Sequence, residues 1–256
     1  MLFTRMNFIG IDPTTGNRPI VFAAIDDSLT LQALGQGSLE EVVAYVAGQQ
    51  KALAAICAPR QPNTGLMARD EYRQNLSPEP SPGRWLNFRM CEYQLRLHNL
   101  HIPRTPRAGE KTPGWMRNGY LLFQRLGELG YQPSSREGGN FQTLEVYPHA
   151  SYSVLLGRLP FPKNTLEGRL QRQLILFDLG LNVPDPMRFF EEVTRSRILR
   201  GILPAEVLLL PRELDALVGA YTAWLWVHKP GEISKVGDSQ EGEIILPARN
   251  LKQRYS

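Results

Sequence analysis

The sequence predicts an α/β domain built on a mixed sheet. Three observations lead there. Short apolar strands joined by turn-rich links open the chain, a helix and an unbroken apolar run follow them, and the last third is mainly helical. Residues 7–12 (NFIGID), 18–26 (RPIVFAAID) and 29–37 (LTLQALGQG) are the first three strands. The links PTTGN and DDS have the length and composition that join antiparallel neighbours. Ser38, with Glu41 three residues on and Val42, Val43 and Val46 beyond, makes a capping box that starts a helix. Residues 52–59 (ALAAICAP) are apolar up to Pro59 and predict a fully buried strand.

A helix over 114–129 then leads through YQPSSREGGN to a strand over 141–149 (FQTLEVYPH). The C-terminal part predicts three helices: TLEGRLQRQLILFDLG, a second over 185–201, and the long apolar PRELDALVGAYTAWLWVHK. In the second, Asp185 is the N-cap, Pro186 takes the first helical position and Gly201 lies past the end. The tail, 231–248, is expected to close as a hairpin. Strand 1 should be central and parallel to the 52–59 and 141–149 strands, and in such sheets sites form at the carboxyl ends of the parallel strands. Asp12 falls at that edge.

Composition narrows the classes. The 256 residues, 42% of them hydrophobic, can bury a sizeable core, and no apolar run reaches the ~20 residues of a membrane helix. The start MLFTRMNFIG lacks the pattern of a signal peptide, and two cysteines, Cys57 and Cys91, make no disulfide framework. A soluble cytoplasmic protein with no membrane partner is expected. No phosphate loop, dinucleotide fingerprint, nucleophile elbow or H-E-x-x-H motif occurs, which disfavours P-loop hydrolysis, dinucleotide redox chemistry and serine hydrolysis.

Charge is unevenly spread. Residues 60–120 hold ten Lys/Arg against five Asp/Glu, while the remainder holds nineteen against twenty. The same segment carries Trp85, Phe88, Tyr93, Trp115 and Tyr120, and basic residues among aromatics suit a polyanion with stackable bases. A solvated basic face over core aromatics is the plainer alternative. Proline-rich pieces (RQPNTG, LSPEPSPG, IPRTPRAGEKTPG) surround one helix-like stretch, so 60–113 is expected to be an insertion or lid within a single 1–256 domain.

Three acids reach the same edge from different elements: Asp12 on the first strand, Glu145 near the end of the 141–149 strand, and Asp215 in the first turn of the closing helix. Ala216, Gly219, Ala220 and Ala223 are small enough to let that helix press against the sheet. Converging carboxylates repel one another unless cations lie between them, and oxygen-only ligation favours Mg²⁺ or Mn²⁺. Two such ions roughly 4 Å apart can activate water and stabilise the leaving oxygen in phosphodiester cleavage. Each acid taken alone has a plainer role: a turn residue, an edge charge, and a first-turn acid favoured by the helix dipole. Cys91, His98 and His101 share a helical face but fit no common zinc spacing. His149, near Glu145, is a candidate phosphate contact or proton shuttle beside its role as a packed strand-end histidine.

The pieces GIDP, RMCE (89–92), LEVYPHAS (144–151), KNTLEGRLQR (163–172), ELDALVGAYTA (213–223) and EGEIILP (241–247), in this order, resemble domain-of-unknown-function family 429, predicted nucleases with a ribonuclease-H-like fold. The resemblance spans nearly the whole chain. It implies a five-stranded mixed sheet with metal-binding acids on strand 1, strand 4 and the last helix, carried here onto Asp12, Glu145 and Asp215. Arg89, Glu92, Lys163 and Arg169 also match recurring positions. The chain departs from the family in one place: where relatives have an Ile-Asp-Ala-Pro-like stretch at the end of the fourth strand, it reads ICAP, with Cys57 in place of the acid.

The expectation is therefore a Mg²⁺- or Mn²⁺-dependent nuclease. Asp12, Glu145 and Asp215 would be catalytic and metal-binding, with Glu92 a further ligand. Arg89, Lys163, Arg169 and His149 would meet the nucleic acid. The alternative is a catalytically inactive module of the same fold that binds nucleic acid or a nucleotide, and a third reading is an enzyme acting on small phosphoesters.

Overall fold

Strand β1 (Asn7–Asp12) has a partner strand on each edge and helices over each face, which is how Phe8, Ile9 and Ile11 come to be fully buried. In chain order the elements are β1, β2 (Ile20–Ile25), β3 (Leu31–Gly37), α1 (Leu39–Ala47), β4 (Ala52–Ile56), α2 (Asp70–Arg73), α3 (Met90–Leu97), α4 (Gly114–Glu128), β5 (Gln132–Pro133), β6 (Phe141–Val146), α5 (Pro148–Leu156), α6 (Leu166–Asp178), α7 (Arg188–Glu192), α8 (Arg195–Leu199), α9 (Pro211–His228), β7 (Ser234–Asp238) and β8 (Gly242–Leu246). This computed structural model describes residues 6–16, 18–81, 83–134 and 138–256. Asn17 of the first link, Pro82 of the proline-rich stretch and residues 135–137 of the loop before β6 lie outside the described residues.

Among the described residues the strands form one eight-stranded mixed sheet in the order β3-β2-β1-β4-β6-β8-β7, with β5 also pairing β6. β1, β2 and β3 are antiparallel neighbours, whereas β1, β4, β6 and β8 run parallel. The expectation from the resemblance was five strands. The sheet is larger because the C-terminal hairpin β7–β8 adds to the outer edge of β6 at Glu145 and Val146, and β5 covers the other half of that edge at Gln142 and Thr143. Pairing of this kind satisfies an edge that would otherwise expose a row of free peptide groups.

Two layers of helix cover the sheet. On one face α1 and α4 pack over Ile9, Ile11, Ala54 and Ile56. Ser38 and Glu41 form the expected capping box at the start of α1. On the other face lies α9, and its approach depends on small residues. A Cβ on Gly10 would overlap the Ala216 carbonyl and the Ala220 amide, so helix and strand backbones are in direct contact. That approach sets Asp215 over the carboxyl end of β1.

Two expected elements differ in extent. The strand over 141–149 stops at Val146, because Pro148 takes the first position of α5, where its missing N–H costs nothing. The helix expected over 185–201 is two short ones. Val193 is extended between them, and the Thr194 side chain accepts from the Arg197 N–H to begin α8. Among the described residues no helix is long and apolar enough to cross a membrane.

Segment 60–113 is packed against the sheet through buried charge. Arg89, 1% exposed, holds Glu145 bidentately, with Nη1 to Oε1 at 2.6 Å and Nη2 to Oε2 at 2.9 Å. Nη2 also donates to the Glu241 carbonyl at 3.0 Å. Glu92 accepts from the backbone N–H groups of Arg89 and Thr105, and Glu241 accepts from those of Met90 and Thr64. Each carboxylate thus closes a loop of the segment onto a neighbour, with its negative charge met by N–H donors.

Candidate functional site

Side-chain alternation decides which acids meet. Ile11, Ile56 and Glu145 are in register across β1, β4 and β6, so their side chains share the face covered by α1 and α4. Asp12 and Cys57, one residue further along, point to the opposite face, beneath α9. Glu145 is therefore turned away from Asp12. Its oxygens are taken by Arg89 and by the Arg60 N–H at 3.0 Å.

What gathers at the mouth of β1 is Asp12, Asp215, Lys163 and Cys57. They line a cavity of about 620 Å³ together with Thr14, Thr15, Trp115, Tyr147, His149, Arg172 and Arg212. Lys163 Nζ donates to Asp215 Oδ2 at 2.6 Å. The Cys57 thiol faces the Asp215 carbonyl at 3.5 Å, and burial, with the charges of Asp12 and Asp215, pushes it well above an ordinary thiol. It is a small, un-ionised wall. Position 57, where the resemblance leads one to expect an acid, thus looks into the same space as Asp12 and Asp215.

The electrostatics are those of negative charge held close together. Burial first, and then the neighbouring charge of Asp215, raise the Asp12 carboxyl to about 8, against weaker attraction from Lys163 and Arg212. Burial opposes the charge on Lys163, but Asp215 and Asp12 outweigh it and lift its pKa above the usual lysine value. His149 is lowered by burial, then by the Arg172 and Lys163 charges, which keeps its imidazole neutral near pH 7. Burial and Asp215 raise the Tyr147 hydroxyl. Arg172 is almost fully buried, donates Nη1 to the Phe161 and Gly168 carbonyls, and lies over the Tyr152 ring.

The raised Asp12 value has a measurable consequence. In the native state Asp12 keeps a proton that the unfolded chain releases near 3.8, so between about 4 and 8 the folded form binds more protons. Stability from this group is fully present below that window and is lost as pH rises through it. The thermal midpoint of metal-free protein should fall more steeply between pH 6 and 8 than that of Asp12→Asn. Parallel curves would contradict the assignment.

Of the other expected contacts, Lys163 and His149 line the cavity, whereas Arg89 and Arg169 do not. Arg169 is spent on backbone carbonyls of Leu209, Leu208 and Ala205, bracing the segment before α9. Glu92 is engaged with Thr105 and Arg89, away from the cavity. No Lys or Arg of the basic 60–120 segment lines the cavity, to which that segment contributes Pro103 and Trp115. Its cations come from the C-terminal half: Lys163, Arg172 and Arg212. Arg172 and Arg212 carried no recognisable signal beyond lying in or beside the KNTLEGRLQR and ELDALVGAYTA stretches.

Among the described residues no group of three or more His, Cys, Asp or Glu side chains is arranged to hold a metal ion. Asp12 and Asp215 are a pair. Two carboxylates suit one hard divalent ion that completes its shell with water and substrate oxygens, as Mg²⁺ commonly does. They do not make the three-acid, two-ion arrangement. No curated protein and no solved structure matches the chain. Residues 10–241 match the family described as protein of unknown function (DUF429), and the chain belongs to that family.

Proposed function

We propose that the protein is a Mg²⁺- or Mn²⁺-dependent phosphodiesterase of the nuclease type, with a ribonuclease-H-like core formed by β3-β2-β1-β4-β6. The observation that carries this reading is the pair Asp12–Asp215 at the mouth of parallel strands, facing a cavity whose remaining charges are positive. Asp12 and Asp215 would hold the ion, and their mutual repulsion, expressed in the raised Asp12 carboxyl, is what a divalent cation relieves. Bound there, the ion would supply charge neutralisation and a more acidic water.

The chain's own groups do the rest. Lys163 is a cation already seated on Asp215, and Arg212 lies at the cavity wall, so both are available to phosphate oxygens. In hydrolysis a water oxygen bonds to phosphorus, the ester oxygen leaves, and one proton passes from the water to the leaving oxygen. His149, neutral at pH 7, is an acceptor and donor for that proton. Cys57, un-ionised and soft, offers a hard ion nothing, which favours one ion over two.

A second reading has its own support. Several basic side chains of 60–120, Arg73, Arg89, Arg96, Arg104 and Arg107, are given to internal partners and no Lys or Arg of the segment lines the cavity, which favours a small phosphoester over a clamped polymer. Hydrolysis of bis(p-nitrophenyl) phosphate with Mn²⁺, abolished by chelation, tests the reaction itself. Absence of cleavage of this diester and of any DNA or RNA would sink the hydrolytic reading.

A further inference from the structure

Beside the Asp12–Asp215 cavity lies a second one, of about 580 Å³, lined by Arg18, Gln36, Asn164, Arg212 and Glu213 among others. The two abut: Arg212 lines both, and the consecutive residues Lys163 and Asn164 divide between them. We propose that this second cavity is a flanking subsite for a phosphodiester strand. It would hold the nucleotide next to the scissile phosphate, with Arg18 and Arg212 gripping the neighbouring phosphate. The inference rests on the hydrolytic reading for the position of the scissile bond, but the binding it describes does not depend on turnover.

The donor side chains on this wall are placed together and left free for a ligand. Arg73, Arg89, Arg96, Arg107, Arg169, Arg172 and Arg197 all give their guanidinium groups to carbonyls, carboxylates or a histidine of this chain. Among the described residues the guanidinium groups of Arg18 and Arg212 have no hydrogen-bond or ion-pair partner, as is also true of Arg117, Arg158 and Arg200 elsewhere; Arg18 and Arg212 differ in lying together at a cavity that abuts the Asp12–Asp215 one, beside the side-chain amides of Gln36 and Asn164, which have no partner either. Forked cationic donors suit phosphate, and amides can bond the edges of an unstacked base. Among the described residues the one carboxylate at this wall, Glu213, accepts the Leu210 N–H at 2.6 Å and caps its own helix. Each cavity is large enough for a nucleotide-sized group, and the shared arginine makes them successive stations along one strand.

The test compares wild type with Arg18→Glu, an exposed position where a change of charge leaves the core untouched. Binding of a fluorescein-labelled single-stranded oligonucleotide of about eight nucleotides, in Ca²⁺ and at several salt concentrations, is measured by anisotropy. Hydrolysis of the same oligonucleotide and of bis(p-nitrophenyl) phosphate is measured in Mn²⁺. The substitution should weaken oligonucleotide binding about tenfold to a hundredfold and flatten its salt dependence by about one contact. It should also lower kcat/KM for the oligonucleotide far more than for the small diester. Oligonucleotide binding that ignores Arg18, or a wild type that binds none, overturns the subsite. Arg18-dependent binding with no hydrolysis of either substrate upholds the subsite and removes the hydrolytic reading instead.

Discussion

Replacing Asp12 by Asn should lower metal-dependent phosphodiester cleavage by about three orders of magnitude, because a divalent ion's charge stabilisation is worth several kcal/mol and each 1.4 kcal/mol is roughly tenfold in rate. The substitution keeps the shape of the side chain at the end of β1 and removes one of the two anionic seats. It also removes the repulsion from Asp215 and the cost of burying a charge, so the variant should be at least as stable as wild type at pH 8. Loss of activity with stability retained is the signature of a group kept for chemistry. Glu145→Gln gives the contrast. Its carboxylate is held by Arg89 and the Arg60 N–H on the opposite face of the sheet, so folded Glu145→Gln protein should cleave at a rate near that of wild type. Activity that survives Asp12→Asn, or disappears in well-folded Glu145→Gln, would reverse the two assignments.

The second large effect is on stability. Arg89→Ala should cost about 3–5 kcal/mol, the usual penalty for leaving a buried carboxylate without its partner. Glu145 is 6% exposed and would keep a single N–H, from Arg60, while the Glu241 carbonyl would lose its donor as well. For a chain of this size that is a fall in thermal midpoint of about 10 °C. Arg89→Met combined with Glu145→Leu should recover much of the loss, since an apolar pair of similar volume avoids desolvating two charges. The double-mutant cycle separates the pair's coupling from the penalty of orphaning one partner. A loss of less than about 1 kcal/mol in Arg89→Ala, the scale of an exposed pair, would mean that segment 60–113 is not fastened to the sheet through this charge.

Much of the frame was legible because local signals and burial agreed. Ser38 and Glu41 mark the start of α1, the unbroken apolar run of β4 marks a strand covered on both faces, and the small residues of α9 mark close packing on β1. Asp12 and Asp215 were legible for the same reason, since the end of β1 and the first turns of α9 are defined by their own neighbours. Glu145 was misjudged at the level of register. Its distance from the strand end fitted, but pairing with Ile56 fixes its parity, and one residue of difference sends a side chain to the other face. The residue that does face Asp12, just past the end of β4, is Cys57, visible in the sequence only as a departure from a pattern.

The basic residues illustrate a different limit. Arg89 and Arg169 have the sequence character of phosphate contacts, yet their partners are Glu145 and three main-chain carbonyls brought near by the fold. Arg18 and Arg212 carry no local signal, and what distinguishes them is their shared place on the wall of the second cavity. Composition can count charges but not say which are already paired, so the surplus in 60–120 pointed to a surface that the cavity does not use. The split into α7 and α8 has a similar origin: Asp185, Pro186 and Gly201 are sound helix signals, but Thr194 supplies a second start between them.

The central claim is that Asp12 and Asp215 form the seat of a single divalent ion. Anomalous diffraction at the manganese edge from crystals soaked in Mn²⁺ examines it directly. One peak between the two carboxylates, with Lys163 displaced from Asp215 and no manganese at Glu145, is the expected result. Manganese bound at Glu145, or none between Asp12 and Asp215, would contradict it.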